Sequence, residues 1–72
     1  MDKYKFAGIM IANRDRQEDL AKYLGISNSR LNAKINEYKG AQFTQMEITA
    51  IVERYKLTAE QVMEIFFAKM VS

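Results

Sequence analysis

The 72-residue chain has no cysteine, no histidine and no proline. Without cysteine there is no disulfide staple and no thiolate nucleophile, and without histidine most zinc-site patterns are excluded too. A glycine-rich phosphate loop and a carboxylate cluster of metal-ligand spacing are also missing. Glu47, Glu53, Glu60 and Glu64 fall where helix caps and solvated helix positions fall. The chain therefore reads as a binder rather than an enzyme, with no cofactor, no metal and no evident small-molecule ligand. Long hydrophobic runs are lacking as well. The stretch from Phe6 to Ala12 is too short for a bilayer, which takes about 20 apolar residues, and no small-residue cleavage motif follows it. No membrane association is expected, and the absence of cysteine fits a reducing cytoplasm.

The length corresponds to one domain, residues 1–72. A domain of this size buries only about 60% of its unfolded surface, so its margin of stability is thin. Its core must be built from hydrophobic contacts alone, or from those of a partner subunit. Net charge is only +2, but it is uneven: positions 1–39 hold eight Lys/Arg against five Asp/Glu, and positions 40–72 hold three against four. A basic first half is compatible with a polyanionic partner.

With no linker, repeat or low-complexity tract, the apolar spacing is helical throughout and predicts five helices. The first runs from about Lys3 to Asn13, with Phe6, Ile9 and Met10 facing inward. Gly8 costs about 1 kcal/mol against alanine in a helix interior, and is expected there to let another helix approach closely. Helix 2 is expected to begin with Asp15 as N-cap and Glu18 closing a variant capping box. Leu20, Ala21 and Leu24 form its buried stripe, and Gly25 ends it at a positive φ. Ser27 caps helix 3, whose inner face is Leu31, Ile35 and Tyr38. Thr44 and Glu47 box the start of helix 4, with Phe43 and Ile48 as a hydrophobic staple. Thr58 with Gln61, and Leu57 with Val62, repeat both devices at helix 5. Ile48, Ile51, Val52 and Tyr55 make the apolar face of helix 4. Tyr4 and Tyr38 are expected to pack, and Lys3 and Lys5 to form a solvated start.

The junction "QEDLAKYLGISNSRLNAKIN" brings two short helices together at a tight turn. A small residue, Ala21, stands where they cross, and a glycine, Gly25, stands where the chain reverses. Leu20, Leu24, Ile26, Leu31 and Ile35 fill the space between. That is the pattern a DNA-binding helix-turn-helix requires. The segment resembles the helix-turn-helix of the lambda repressor and Cro superfamily, including Gln17 at the start of helix 2. With "FTQMEI" and "EIFF", the chain is similar to a group of short phage-derived repressors over about residues 6–70. The resemblance implies an all-α, compact five-helix bundle of the lambda repressor-like type, helices 2 and 3 forming the helix-turn-helix. It implies a repressor acting in the bacterial host cytoplasm by occupying an operator and excluding polymerase. Two departures stand out. The loop Glu37–Gln42 is a residue or two longer than usual, and Lys34 occupies a place where many relatives are apolar. Lys34 is expected to snorkel outward while Ile35 packs.

Helix 3 would then read double-stranded DNA. With Leu31 inward, Ser29, Asn32, Ala33 and Asn36 point outward, and Asn28 and Arg30 lie on opposite flanks. Ser27 stands at the start of the same surface, which carries no acid. Asparagine can pair with adenine N6 and N7, and alanine can touch a thymine methyl, so adenine and thymine are expected near the half-site centre. Arg30, Lys34 and Lys39 are expected to reach phosphates, or for Arg30 a guanine. Gln17 would donate to a phosphate beside a helix N-terminus, with Arg14 and Arg16 clamping the backbone there.

One recognition helix reads few base pairs, so a homodimer spanning half-sites about 34 Å apart is expected. Helix 5 is apolar on more than one face. Val62, Ile65 and Phe66 suit the core, while Met63, Phe67 and Met70 lie around the helix and would form the dimer surface. Two alternatives remain open: both stripes belong to the core, or the C-terminal end pairs with its twin as a strand, as in some Cro proteins. The competing functional reading is a helical protein-binding adaptor or antirepressor on the same fold.

Overall fold

The computed structural model describes residues 1–67. Among them are five α-helices and no strand: α1 (Lys3–Ala12), α2 (Gln17–Leu24), α3 (Asn28–Ile35), α4 (Gln45–Tyr55) and α5 (Ala59–Phe66), with a 3-10 turn at Tyr38–Gly40. None of them is long and apolar enough to cross a membrane.

Local chemistry sets most of the helix ends. Asp2 caps α1 by accepting the Tyr4 and Lys5 N–H groups, each at 3.1 Å. At α4 the Thr44 hydroxyl accepts the Glu47 N–H at 3.1 Å, and the Glu47 carboxylate accepts the Thr44 N–H at 2.8 Å. Thr58 and Gln61 make the same reciprocal pair at α5, at 3.1 and 2.9 Å. Each box satisfies two amides that the helix itself leaves without partners. Gly25 closes α2 at φ 74°. The Ile26 N–H reaches back to the Ala21 carbonyl at 3.0 Å and the Gly25 N–H to that of Lys22 at 3.2 Å, a Schellman arrangement.

The start of α2 differs from the expectation. Arg16, not Asp15, is the N-cap residue, and its backbone N–H donates to the Asp19 carboxylate at 3.0 Å. Asp15 instead turns toward α4. Its two oxygens accept from Arg54 Nε and Nη2, each at 2.8 Å, and it also accepts from the Tyr55 hydroxyl. Arg54 lies over the Tyr23 ring, 4.6 Å from its centroid, so the knot joins the α1–α2 corner, α2 and α4.

The core takes one fully buried side chain from each helix: Phe6, Leu20, Leu31, Ile51 and Ile65. Met10, Ala21, Tyr55 and Leu57 are also buried, and Ile9, Leu24, Ile26, Ile35, Val52, Val62 and Phe66 pack around them. The burial of Ala21 fits its expected place at the crossing of α2 and α3. Phe6, Phe43 and Phe66 form a three-ring cluster, with centroids 5.9, 6.2 and 6.0 Å apart and the rings tilted or edge-on. This is the geometry that aromatic quadrupoles prefer. The Asp2 N–H donates to the Ile65 carbonyl at 2.7 Å, fastening α1 to α5.

Three expectations about packing are corrected. Tyr4 is 79% and Tyr38 63% exposed. α3 stops at Ile35, and Glu37 and Lys39 take left-handed conformations that carry Tyr38 away from the inner face. On α1, Tyr4 points away from the core with Ile11, which is 75% exposed. Gly8 receives no close neighbour either: a Cβ built there meets nothing within 4 Å. It therefore bears the helix-propensity cost of glycine without a packing return. Gly8→Ala is expected to stabilise the fold by about 1 kcal/mol, raising the thermal midpoint by roughly 4–8 °C in a circular-dichroism melt. A lowered midpoint would mean that the position is occupied by something outside the monomer.

Candidate nucleic-acid interface

α3 presents the surface that the sequence analysis singles out. Ser27 sits at its start, its hydroxyl accepting the Arg30 N–H at 3.1 Å. Asn28, Ser29, Arg30, Asn32 and Asn36 are exposed, and Ala33 is half-buried. Ser29, Asn32, Ala33 and Asn36 line a shallow concavity closed at one edge by Tyr38. Tyr38 thus borders the face that the sequence analysis assigns to contact, although its spacing suggests the core.

The two asparagines are held rather than free. Asn36 is the C-cap of α3, and its Nδ2 donates to the Asn32 carbonyl at 2.9 Å and to Asn32 Oδ1 at 3.3 Å. Gln17, the first residue of α2, donates from Nε2 to the same Oδ1 at 3.5 Å. Gln17 therefore joins the α3 face and does not stand apart from it. At the far end Lys3 donates from Nζ to Asn36 Oδ1 at 3.1 Å. Lys3 is thus a member of this row and not merely a solvated start. Its distance of 33 positions from Asn36 hides the contact from any local pattern. Lys5 stays on the α5 side, 3.7 Å from Glu64.

Arg14, Arg16, Arg30 and Lys39 are exposed. Arg16 lies 3.3 Å from Glu18 and 3.5 Å from Asp19. Such exposed pairs contribute little, so its guanidinium can exchange them for a phosphate. Lys39 lies over the Tyr38 ring at 5.4 Å. In the turn after α3, Glu37 pairs with the Met1 amino group at 3.2 Å.

Lys34 is the clear exception. Its expected outward path is wrong: the residue is only 8% exposed, and its Nζ lies 2.6 Å from Glu47 Oε1. The carboxylate that boxes α4 also anchors α3 here. Burial raises the Glu47 carboxyl pKa, but Lys34 and the Thr44 N–H outweigh it and hold it below the ordinary value. Lys34 is a structural cation, not a phosphate contact. Lys34→Ala is expected to cost about 3 kcal/mol, because it leaves a buried carboxylate without its counter-ion. The double variant Lys34→Met/Glu47→Gln is expected to stay within about 1 kcal/mol of the parent, since an apolar stem replaces a desolvated pair. Urea unfolding checks both, and equal losses in the two variants would sink the argument.

On α5, Met63 and Phe67 are exposed on one side, while Ile65 is buried and Val62 and Phe66 are partly so. Met70 lies outside the described residues. Comparison with family models, with curated proteins and with solved structures found no match to this chain.

Proposed function

We propose that this chain is a sequence-specific DNA-binding regulator of the lambda repressor and Cro type, placing α3 in the major groove of double-stranded DNA. The observation that carries the reading is the outer face of α3. It is exposed, free of acids, built of small polar side chains, and set beside a tight turn at Gly25, with Arg30 on its flank. Small side chains allow deep entry into the groove, amides read base edges, and the flanking arginines and lysines meet phosphates. The similarity to short phage-derived repressors supports a phage or prophage origin and action by operator occlusion in a bacterial host. Met63 and Phe67 are the described part of the proposed homodimer surface.

Selection of bound duplexes from a random pool tests the reading, with a two-fold symmetric consensus as the expected product. Asn32→Ala should relax preference at one base position, with a loss of about 1–3 kcal/mol in discrimination. Arg16→Ala should weaken specific and random duplexes alike and reduce the salt slope by about 1. Equal losses on both kinds of duplex from Asn32→Ala would remove α3 as the reading element. The second reading, a protein-binding adaptor, draws on the exposed apolar side chains Tyr4 and Ile11 of α1. A pool with no enriched sequence would favour it.

A further inference from the structure

The row Lys3–Asn36–Asn32–Gln17 has a direction. A lysine ammonium donates hydrogen bonds and cannot accept them. At 3.1 Å from Asn36 it therefore turns the Asn36 oxygen toward α1 and the Asn36 nitrogen toward α3. The Asn32 backbone carbonyl, which can only accept, receives that nitrogen at 2.9 Å and enforces the same orientation from the other side. Asn32 Oδ1 then faces Asn36 Nδ2 at 3.3 Å and Gln17 Nε2 at 3.5 Å. Two donors from the protein fill both acceptor positions of that oxygen. What remains for a partner is the Asn32 Nδ2 group with its two hydrogens. The Lys3 ammonium is itself steadied by the Tyr4 ring, 5.6 Å from the centroid.

Resting on the DNA-binding reading above, the geometry points to Asn32 as a donor-only reader of guanine, kept in that state by Lys3 together with the Asn32 backbone carbonyl. Guanine offers two adjacent acceptors in the major groove, N7 and O6. Adenine offers N7 beside an amino group, and that amino group would face the Asn32 amide donor to donor. The usual asparagine–adenine pairing needs a free side-chain oxygen, which this row does not leave. Lys3 acts through Asn36 and is a positioning residue. The adenine expected from residue type alone gives way to guanine at this position.

Duplex selection with the full chain and three variants tests this. The position whose preference disappears in Asn32→Ala is the one that Asn32 reads. The parent should prefer guanine there over adenine by roughly tenfold, within the range for a good paired contact. Lys3→Arg, which still only donates, should keep guanine. Lys3→Met removes one of the two groups that orient Asn36, leaving the Asn32 carbonyl, and should narrow the guanine preference at that position without abolishing it. Adenine at this position in the parent would overturn the inference and leave the DNA-binding reading standing. Lower affinity of Lys3→Met for every sequence, with guanine preferred as strongly as in the parent, would reduce Lys3 to a phosphate contact and overturn its positioning role. A pool in which nothing is enriched would instead overturn the functional reading on which the inference rests.

Discussion

Phe6→Ala is expected to leave the chain largely unfolded at 25 °C. Phe6 is almost wholly buried and belongs to the three-ring cluster with Phe43 and Phe66. Truncating a buried phenylalanine costs about 3–5 kcal/mol, partly as lost transfer energy and partly as the cavity left behind. A hydrophobic core in a domain this small rarely contributes more than about 3–5 kcal/mol of net stability. The loss therefore matches the whole margin. The rings it would abandon come from the loop before α4 and from α5, so no single helix can shift to fill the space. Phe6→Leu keeps most of the volume and should cost about 1.5 kcal/mol at most. Denaturant melts of the two variants separate these cases. A folded Phe6→Ala protein with a midpoint near that of the parent would show that the core is centred elsewhere.

The second large effect is expected at Asp15, which joins parts of the chain 39 and 40 positions apart. Asp15→Ala removes both acceptors of Arg54 and the partner of the Tyr55 hydroxyl at once. Breaking one side of a buried ion pair costs about 3–5 kcal/mol, and the partial exposure of Arg54 puts this case near the lower limit. The same group governs the response to acid. The Arg54 guanidinium and the Tyr55 hydroxyl hold the Asp15 carboxyl below its ordinary value against the opposing effect of burial. A carboxylate depressed in the folded state stabilises above its unfolded pKa of about 3.9, and that contribution is lost as pH falls through the lower folded value. Stability of the parent should therefore fall steeply below about pH 4, and the acid limb should be shallower in Asp15→Ala. Tyr55 works in the opposite sense. Burial and the adjacent carboxylate raise its pKa, so its contribution holds below about pH 10 and is lost as pH rises through the folded value. Urea midpoints across pH test both limbs, and identical acid limbs in parent and variant would count against Asp15 as their source.

Asp15 also marks the boundary of what sequence reading reaches here. The boxes at Thr44 and Thr58, the cap at Ser27 and the turn at Gly25 were legible because each needs only groups within five positions of one another. Most inward positions followed from periodicity for the same reason, but exposed Tyr38 and buried Lys34 did not. Asp15 satisfies the local pattern of a cap, yet Arg54 and Tyr55 together offer it more hydrogen bonds than an amide of α2 would. Lys34 carried the same ambiguity, since its long stem permits either solvent or a buried partner, and Glu47 was visible only as a cap. At the proposed interface the outward set on α3 was legible, but the direction of its amides was not. That direction is set in part by Lys3 from another helix.

Six residues among those described turn left-handed, and four of them are not glycine: Arg14, Glu37, Lys39 and Lys56. Each holds its side chain against a backbone preference of roughly 1–2 kcal/mol. All four are long and charged, and Arg14 and Lys39 belong to the proposed contact set. The chain thus keeps unused stability at its corners. A damaging change in the core can be offset by relaxing a corner such as Lys56, whose φ of 55° suits glycine. The small size of the domain limits its net stability, while its corners hold stability that a glycine would release.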